Sequence, residues 1–145
     1  MNPSCEVPDS NPTSAEIADL LRNAKTIAVV GLSPKPDRPS HGVSAYMQAQ
    51  GYRIIPVNPA HERILGEKVY KSLLDVPDAV DIVDIFRDPQ AVPEIVDQAI
   101  QKKAKAIWMQ EGIVHNAAAA KARAAGLVVV MNKCIYKEHR NLRGT

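Results

Sequence analysis

The feature that most constrains this chain is a short apolar run leading directly into a glycine. Ile27-Ala28-Val29-Val30 is followed by Gly31-Leu32-Ser33-Pro34-Lys35-Pro36-Asp37-Arg38-Pro39, then by a segment of helical spacing that opens at Ser40-His41-Gly42. A strand with one wet face alternates apolar and polar residues. One without alternation is buried on both faces, as in a parallel sheet covered by helices. The order strand, loop, helix leaves a helix N-terminus facing the crevice beyond the strand's carboxyl end. Unpaired backbone N–H groups and the helix dipole favour an anion there, so the expected ligand carries a phosphate.

The rest of the chain repeats the alternation. Thr13 or Ser14 caps a helix in which Ile17, Leu20 and Leu21 share a face, and Thr13 with Glu16 has capping-box spacing. After the opening motif, Val43, Tyr46, Met47 and Gln50 recur at helical spacing, and Gln50-Gly51 supplies a stop. Arg53-Ile54-Ile55-Pro56-Val57 is a second strand, with Pro56 confined to its end or to an unpaired side. Gly66, Val69, Tyr70 and Leu73-Leu74 give a short further strand and one helical turn. Val80 to Phe86, Lys105 to Met109 and Leu127 to Met131 are the remaining strands. Between them lie a helix started by Pro89 or Pro93, with a stripe at Val92, Ile95, Val96, Ala99 and Ile100, and an Ala-rich helix from His115 to Ala125 ended by Gly126. The alternation implies βαβ units and an α/β fold, an open parallel sheet of about five strands with helices on both faces. Residues 13–145 read as one domain. Met1 to Pro12, rich in Pro, Ser and Asn, reads as a disordered leader.

Composition narrows the function classes. A net charge of +2, with Lys and Arg dispersed, argues against nucleic-acid binding. No apolar run approaches the roughly 20 residues of a membrane span, and the first residues lack an export pattern, so a cytoplasmic location is expected. The two cysteines, Cys5 and Cys134, imply neither a disulfide framework nor a zinc site.

The phosphate loop departs from the dinucleotide pattern. Only Gly31 of a G-x-G-x-x-G is present, Ser33 takes the second place, and the second strand ends in Val57-Asn58-Pro59 without the acid that would hold ribose hydroxyls. A G-x-x-x-x-G-K-[ST] loop is absent as well. The missing acid suits a phosphorylated ribose better than a free one.

These segments, together with Tyr70-Lys71-Ser72-Leu73, Asp84-Ile85-Phe86-Arg87, Trp108-Met109-Gln110 with Gly112, and Asn132-Lys133-Cys134, resemble the small stand-alone CoA-binding proteins. Those in turn are similar to the CoA-binding domain of the succinyl-CoA synthetase alpha subunit. The resemblance spans nearly all of Ala15 to Leu142. It implies a Rossmann-like fold that takes coenzyme A or an acyl-CoA at the carboxyl ends of the strands. Gly31, Ser33 and the N–H groups from Ser40 onward would cradle the pyrophosphate, with charge from Lys35 and Arg38. Val57, Asn58 and Pro59 would flank the adenosine end. Phe86, Arg87, Met109 and Gln110 would line the path of the pantetheine arm, and Asn132 and Cys134 would stand where the thiol emerges. The synthetases' phosphorylated histidine lies on a further domain for which this chain has no room, so the expectation is binding without catalysis.

Several of these residues have plainer readings. Ser40 is an N-cap, and His41 a second donor in the cap region. Trp108 lies within its strand and reads as core, and Asn132 as a turn residue. Asp81 opens a strand and reads as surface, whereas Asp84 is paired near the rim. Cys134 is either a small buried residue or, with Lys133 and Lys137 near it, a thiol able to form a mixed disulfide with CoA. An NAD(P)-dependent oxidoreductase and an acyl-CoA-sensing regulatory subunit are the alternative functions, and monomer and homodimer are both open.

Overall fold

The computed structural model describes residues 6–143. Five parallel strands form the central sheet: β1 (Thr26–Val30), β2 (Arg53–Val57), β5 (Ile82–Ile85), β6 (Ala106–Met109) and β7 (Val128–Val130), in the order β2-β1-β5-β6-β7. The absence of alternation is explained by burial on both faces. Ile27, Val29, Ile54, Ile82 and Trp108 pack beneath α1 (Ser14–Asn23), α2 (Pro39–Ala49) and α5 (Ile135–Arg143), while Ala28, Val30, Ile55, Val83, Ile85 and Ile107 pack beneath α3 (Val92–Lys102) and α4 (Asn116–Ala124). The expected Rossmann-like architecture is therefore present. The chain runs outward from β1 to β2, then returns to place β5 on the other side of β1. Strand order thus reverses between β1 and β5, and at such a switch point the loops leaving the two strands part and open a crevice.

Local details follow from local chemistry. Thr13 caps α1 through the predicted box: its Oγ1 accepts from Glu16 N–H at 3.1 Å and its own N–H donates to Glu16 Oε1 at 2.8 Å. Both candidate prolines start helical structure, Pro89 a 3₁₀ turn over Pro89–Ala91 and Pro93 the first turn of α3. Pro56 lies inside β2 rather than at its end, yet β2 is a sheet edge. The Pro56 carbonyl faces outward, accepting from Tyr70 N–H at 3.0 Å, so the missing N–H interrupts no ladder with β1. Between β2 and β5 the single expected strand is a two-stranded antiparallel ribbon, β3 (Arg63–Ile64) and β4 (Glu67–Lys68), followed by a 3₁₀ turn over Leu73–Asp75.

Two differences from the sequence expectation stand out. Helix α5 is mostly polar: Ile135 and Leu142 join the core, and Tyr136 and His139 add ring contacts. Tyr136 meets Tyr46 edge-to-face at 4.5 Å between centroids, and His139 Nδ1 lies 2.9 Å from Tyr46 Oη. The expected leader, Met1 to Pro12, is divided. Residues 1–5 lie outside the described residues, and the stretch from Glu6 to Pro12 is tied to the last helix–strand unit. Asp9 bonds Asn116 Oδ1 and pairs with Arg123, while Asn11 donates to the Met131 carbonyl at 2.9 Å and accepts from the Met131 N–H at 2.7 Å.

Candidate functional site

Gly31 ends β1 at the switch point. Its N–H donates to the Val57 carbonyl at 3.0 Å, its φ is +91°, and a Cβ there would lie 2.9 Å from the Phe86 carbonyl oxygen. Glycine is required twice, for backbone conformation and for the approach of the β5 exit. Leu32 is buried as an anchor, and the loop beyond is held by its own polar groups. Ser33 N–H donates to Ser40 Oγ at 3.0 Å, Lys35 N–H to Ser33 Oγ at 3.1 Å, and Asn58 Nδ2 to the Leu32 carbonyl at 3.0 Å.

The helix begins one residue earlier than Ser40-His41-Gly42 suggests. Arg38 is the N-cap and makes no side-chain capping bond, and Pro39 occupies the first helical position. Ser40 is therefore no N-cap: its buried hydroxyl holds the Ser33 amide instead. The N-terminus of α2 is left without a capping side chain and without an acid in its first turn, which suits an external anion.

Around this N-terminus the crevice divides into hollows. One of about 340 Å³ is lined by Gly31, Ser33, Pro34, Lys35, Arg38, Pro39, Ser40, Asn58, His61 and Phe86. A second of about 520 Å³ is lined by Pro39, Val43, Phe86, Arg87, Asp88, Pro89, Gln110, Glu111, Gly112, Ile113 and Cys134. Pro39 and Phe86 border both. On the opposite face of the sheet a smaller hollow includes Val57, Pro59, Lys71 and Arg87.

Most of the residues singled out in the sequence thus converge on one edge, and the exceptions have physical reasons. Strand alternation turns Val57 away from Asn58, so Val57 and Pro59 line the smaller hollow rather than the first. Met109 is fully buried with Met131 and Val114 and belongs to the core, not the rim. Asn132 is an exposed turn residue at φ +59° whose Oδ1 accepts from Gly112 N–H at 2.7 Å; it braces the loops after β6 and β7. His41 lines neither of the two main hollows, and its N–H is bonded to the Arg38 carbonyl. Cys134 is 8% exposed yet borders the second hollow, and the Lys137 ammonium beside it pairs with Glu111 at 3.0 Å. Trp108 is core, with Nε1 donating to the Lys133 carbonyl at 2.8 Å. His61 was not foreseen. The only signal for it is its place just past Asn58-Pro59, in the loop leaving β2 at the same rim.

Two acids complete the picture. Asp81 lies at the opposite edge of the sheet, where Oδ2 accepts from Lys25 N–H at 2.7 Å and Thr26 N–H at 3.1 Å, and Lys105 stands 3.3 Å from Oδ1. Partial burial raises its pKa, but these bonds and the Lys105 charge outweigh that and hold it below the ordinary range. Asp84 is 1% exposed, and Oδ1 takes one hydrogen bond, from Gln110 Nε2 at 2.6 Å. Burial pushes its carboxyl up to about 7, opposed only by that bond. The pairing follows from register: Asp84 faces Trp108 across the ladder, and Gln110, two residues on, points from the same face. Among the described residues, no His, Cys, Asp and Glu cluster could hold a metal, and no helix is long and apolar enough to cross a membrane.

Comparison with known proteins gives a consistent result. The sequence profile of the CoA binding domain family matches residues 25–140. The uncharacterized protein YneT of Bacillus subtilis is 42% identical over 129 residues, covering 89% of this chain and 96% of that one. A hypothetical protein from Pyrococcus horikoshii superposes with a TM-score of 0.90 at 42% identity, over 96% of this chain and 98% of that chain. The ADP-forming acetate–CoA ligase II of Archaeoglobus fulgidus is 36% identical over 95 residues, which are 64% of this chain but 14% of the ligase.

Proposed function

Because this chain belongs to the CoA-binding domain family, we propose that its carboxyl-edge crevice binds coenzyme A or an acyl-CoA. The observation that carries the reading is the uncapped N-terminus of α2, standing at the strand-order reversal with Lys35 and Arg38 on the same hollow. Gly31, Ser33 and the Ser40 N–H at the start of α2 receive the pyrophosphate. Lys35 and Arg38 neutralise it, Arg38 as a fork able to contact two oxygens. Asn58 and His61 border the adenosine end. The pantetheine arm passes Phe86 into the second hollow, toward Arg87, Gln110 and Cys134. Met109 and Asn132 act from behind, one as core and the other as a loop brace.

The division of charge supports this direction of entry. The first hollow carries Lys35, Arg38 and His61 with no acid on its wall; the second sets Asp88 and Glu111 against Arg87. A polyanionic end is favoured in one and a neutral chain in the other. The ligases that share the family match this chain over a small part of their own length, so the reading extends to ligand binding in the cytoplasm and to no reaction.

Thermal shift with CoA, acetyl-CoA, NAD and NADP tests it. The CoA compounds stabilise the fold in a concentration-dependent way, by about 2.7 kcal/mol at a hundredfold excess over Kd, and the nicotinamide dinucleotides do not. Stabilisation by NAD or NADP with none by CoA reverses the assignment in favour of an oxidoreductase.

A further inference from the structure

We propose that Asp84 is a positioning residue that fixes which end of the Gln110 amide faces the ligand's arm in the second hollow. The inference rests on the coenzyme A reading of the crevice and adds to it a polarity, an acceptor turned toward the ligand.

The geometry is specific. Gln110 is 4% exposed and lines the second hollow with Phe86, Val43 and Cys134. Its Nε2 is committed to Asp84 Oδ1 at 2.6 Å. Above about pH 7, where Asp84 is ionised, its carboxylate only accepts, so the amide turns its nitrogen inward and leaves Oε1 on the other side. Among the described residues, Oε1 has no hydrogen-bond partner in the protein, and it is not one of the side-chain atoms that are both sealed from solvent and without a hydrogen bond. Gln110 Oε1 therefore opens on the hollow with its lone pairs unused.

The Gln110 bond is the one hydrogen bond of Asp84 among the described residues. Asp84 stands between Val29 of β1 and Trp108 of β6, and among the described residues it forms no ion pair and receives no backbone N–H. A buried carboxyl with a single hydrogen bond is a cost to the fold, and an apolar residue fits such a position better. Its one structural effect is to orient Gln110. An acceptor fixed in this way takes an N–H from a neutral amide-bearing chain, the chemistry of a pantetheine arm, and rejects a phosphate. It reinforces the orientation set by the charges of the two hollows.

Titration calorimetry at pH 8, where Asp84 is ionised, with CoA and with adenosine 3′,5′-bisphosphate, which lacks the arm, separates the contributions. Gln110→Met is expected to weaken CoA about tenfold, the scale of one hydrogen bond, and to leave the bisphosphate unchanged. Asp84→Asn, which removes the constraint on amide orientation, is expected to weaken CoA about threefold, again with the bisphosphate unchanged. In the Gln110→Met background, Asp84→Asn is expected to have no further effect on CoA, because Asp84 acts only through Gln110. Thermal melts confirm that each variant folds. An unchanged ratio of CoA to bisphosphate affinity in Gln110→Met overturns the proposal, as does an equal effect of Asp84→Asn in both backgrounds. If wild type binds neither ligand, the coenzyme A reading fails first; if both bind and the ratio does not move, only the role of Gln110 and Asp84 fails.

Discussion

Asp81 and Asp84 sit on one short stretch of chain and face opposite edges of the sheet, and their environments have opposite signs. At the amino edge, Asp81 accepts two backbone N–H groups and pairs with Lys105, joining the entries of β1, β5 and β6. At the carboxyl edge, Asp84 is sealed beneath helices with one amide for company. The first arrangement lowers a carboxyl pKa and the second raises it. The same side chain stabilises one end of the strand and penalises the other, so the two edges serve different ends. The amino edge closes the fold; the carboxyl edge carries groups whose placement stability alone does not explain.

The largest effect that bears on this contrast is the pH dependence of stability. With Asp84 raised from 3.8 to about 7, the folded state holds more protons than the unfolded state between those values. Stability contributed at this site is therefore present in acid and lost as pH rises through about 7, on the order of 4 kcal/mol in total. Asp81 has the reverse sign: its contribution is full above the ordinary carboxylate range and lost only as pH falls below it. Urea denaturation of wild type and Asp84→Asn between pH 5 and 8 is expected to show a falling stability that the variant flattens, with Asp84→Asn more stable at pH 8. A wild-type profile that rises across this interval breaks the contrast.

A smaller effect comes from the amino edge. Asp81→Ala strands two backbone N–H groups and is expected to cost about 2–3 kcal/mol, read as a lower urea midpoint at unchanged slope. It should leave CoA affinity unaltered, since Asp81 lies at the far edge. The smallest effect on stability belongs to the cations of the first hollow. Lys35→Ala and Arg38→Ala fall within about 0.5 kcal/mol of wild type, because both side chains are exposed, yet each is expected to weaken CoA severalfold in a salt-dependent way. Equal affinity in wild type and the double variant would remove the cations from the site.

The fold was legible because its signal is dense. Unalternating apolar runs separated by helical stripes leave few architectures other than a covered parallel sheet, and Thr13 with Glu16 set the start of α1. Helix α5 escaped because its aliphatic positions, Ile135 and Leu142, are too sparse to make a stripe, and Tyr136 and His139 complete the buried face by ring contact with Tyr46. The phosphate loop was legible from Gly31 and the cations after it. The split of Val57 and Pro59 from Asn58 needed the pleat of β2, and the Asp84–Gln110 bond needed the register of β5 on β6, which no spacing along the chain discloses. His61 carries no pattern at all until the β2 exit is folded against the rim.

The clasp of Asn11 on Met131 bears on the open edge of the sheet at β7. A carboxamide offers one donor and one acceptor in nearly the geometry of a peptide group, so Asn11 impersonates a rung of the next strand exactly where β7 would otherwise invite one. One rung just past β7 is thus answered from within the same chain. Shortening the chain past Asn11 would return that rung to solvent and leave a bare strand edge, a template on which a second copy pairs.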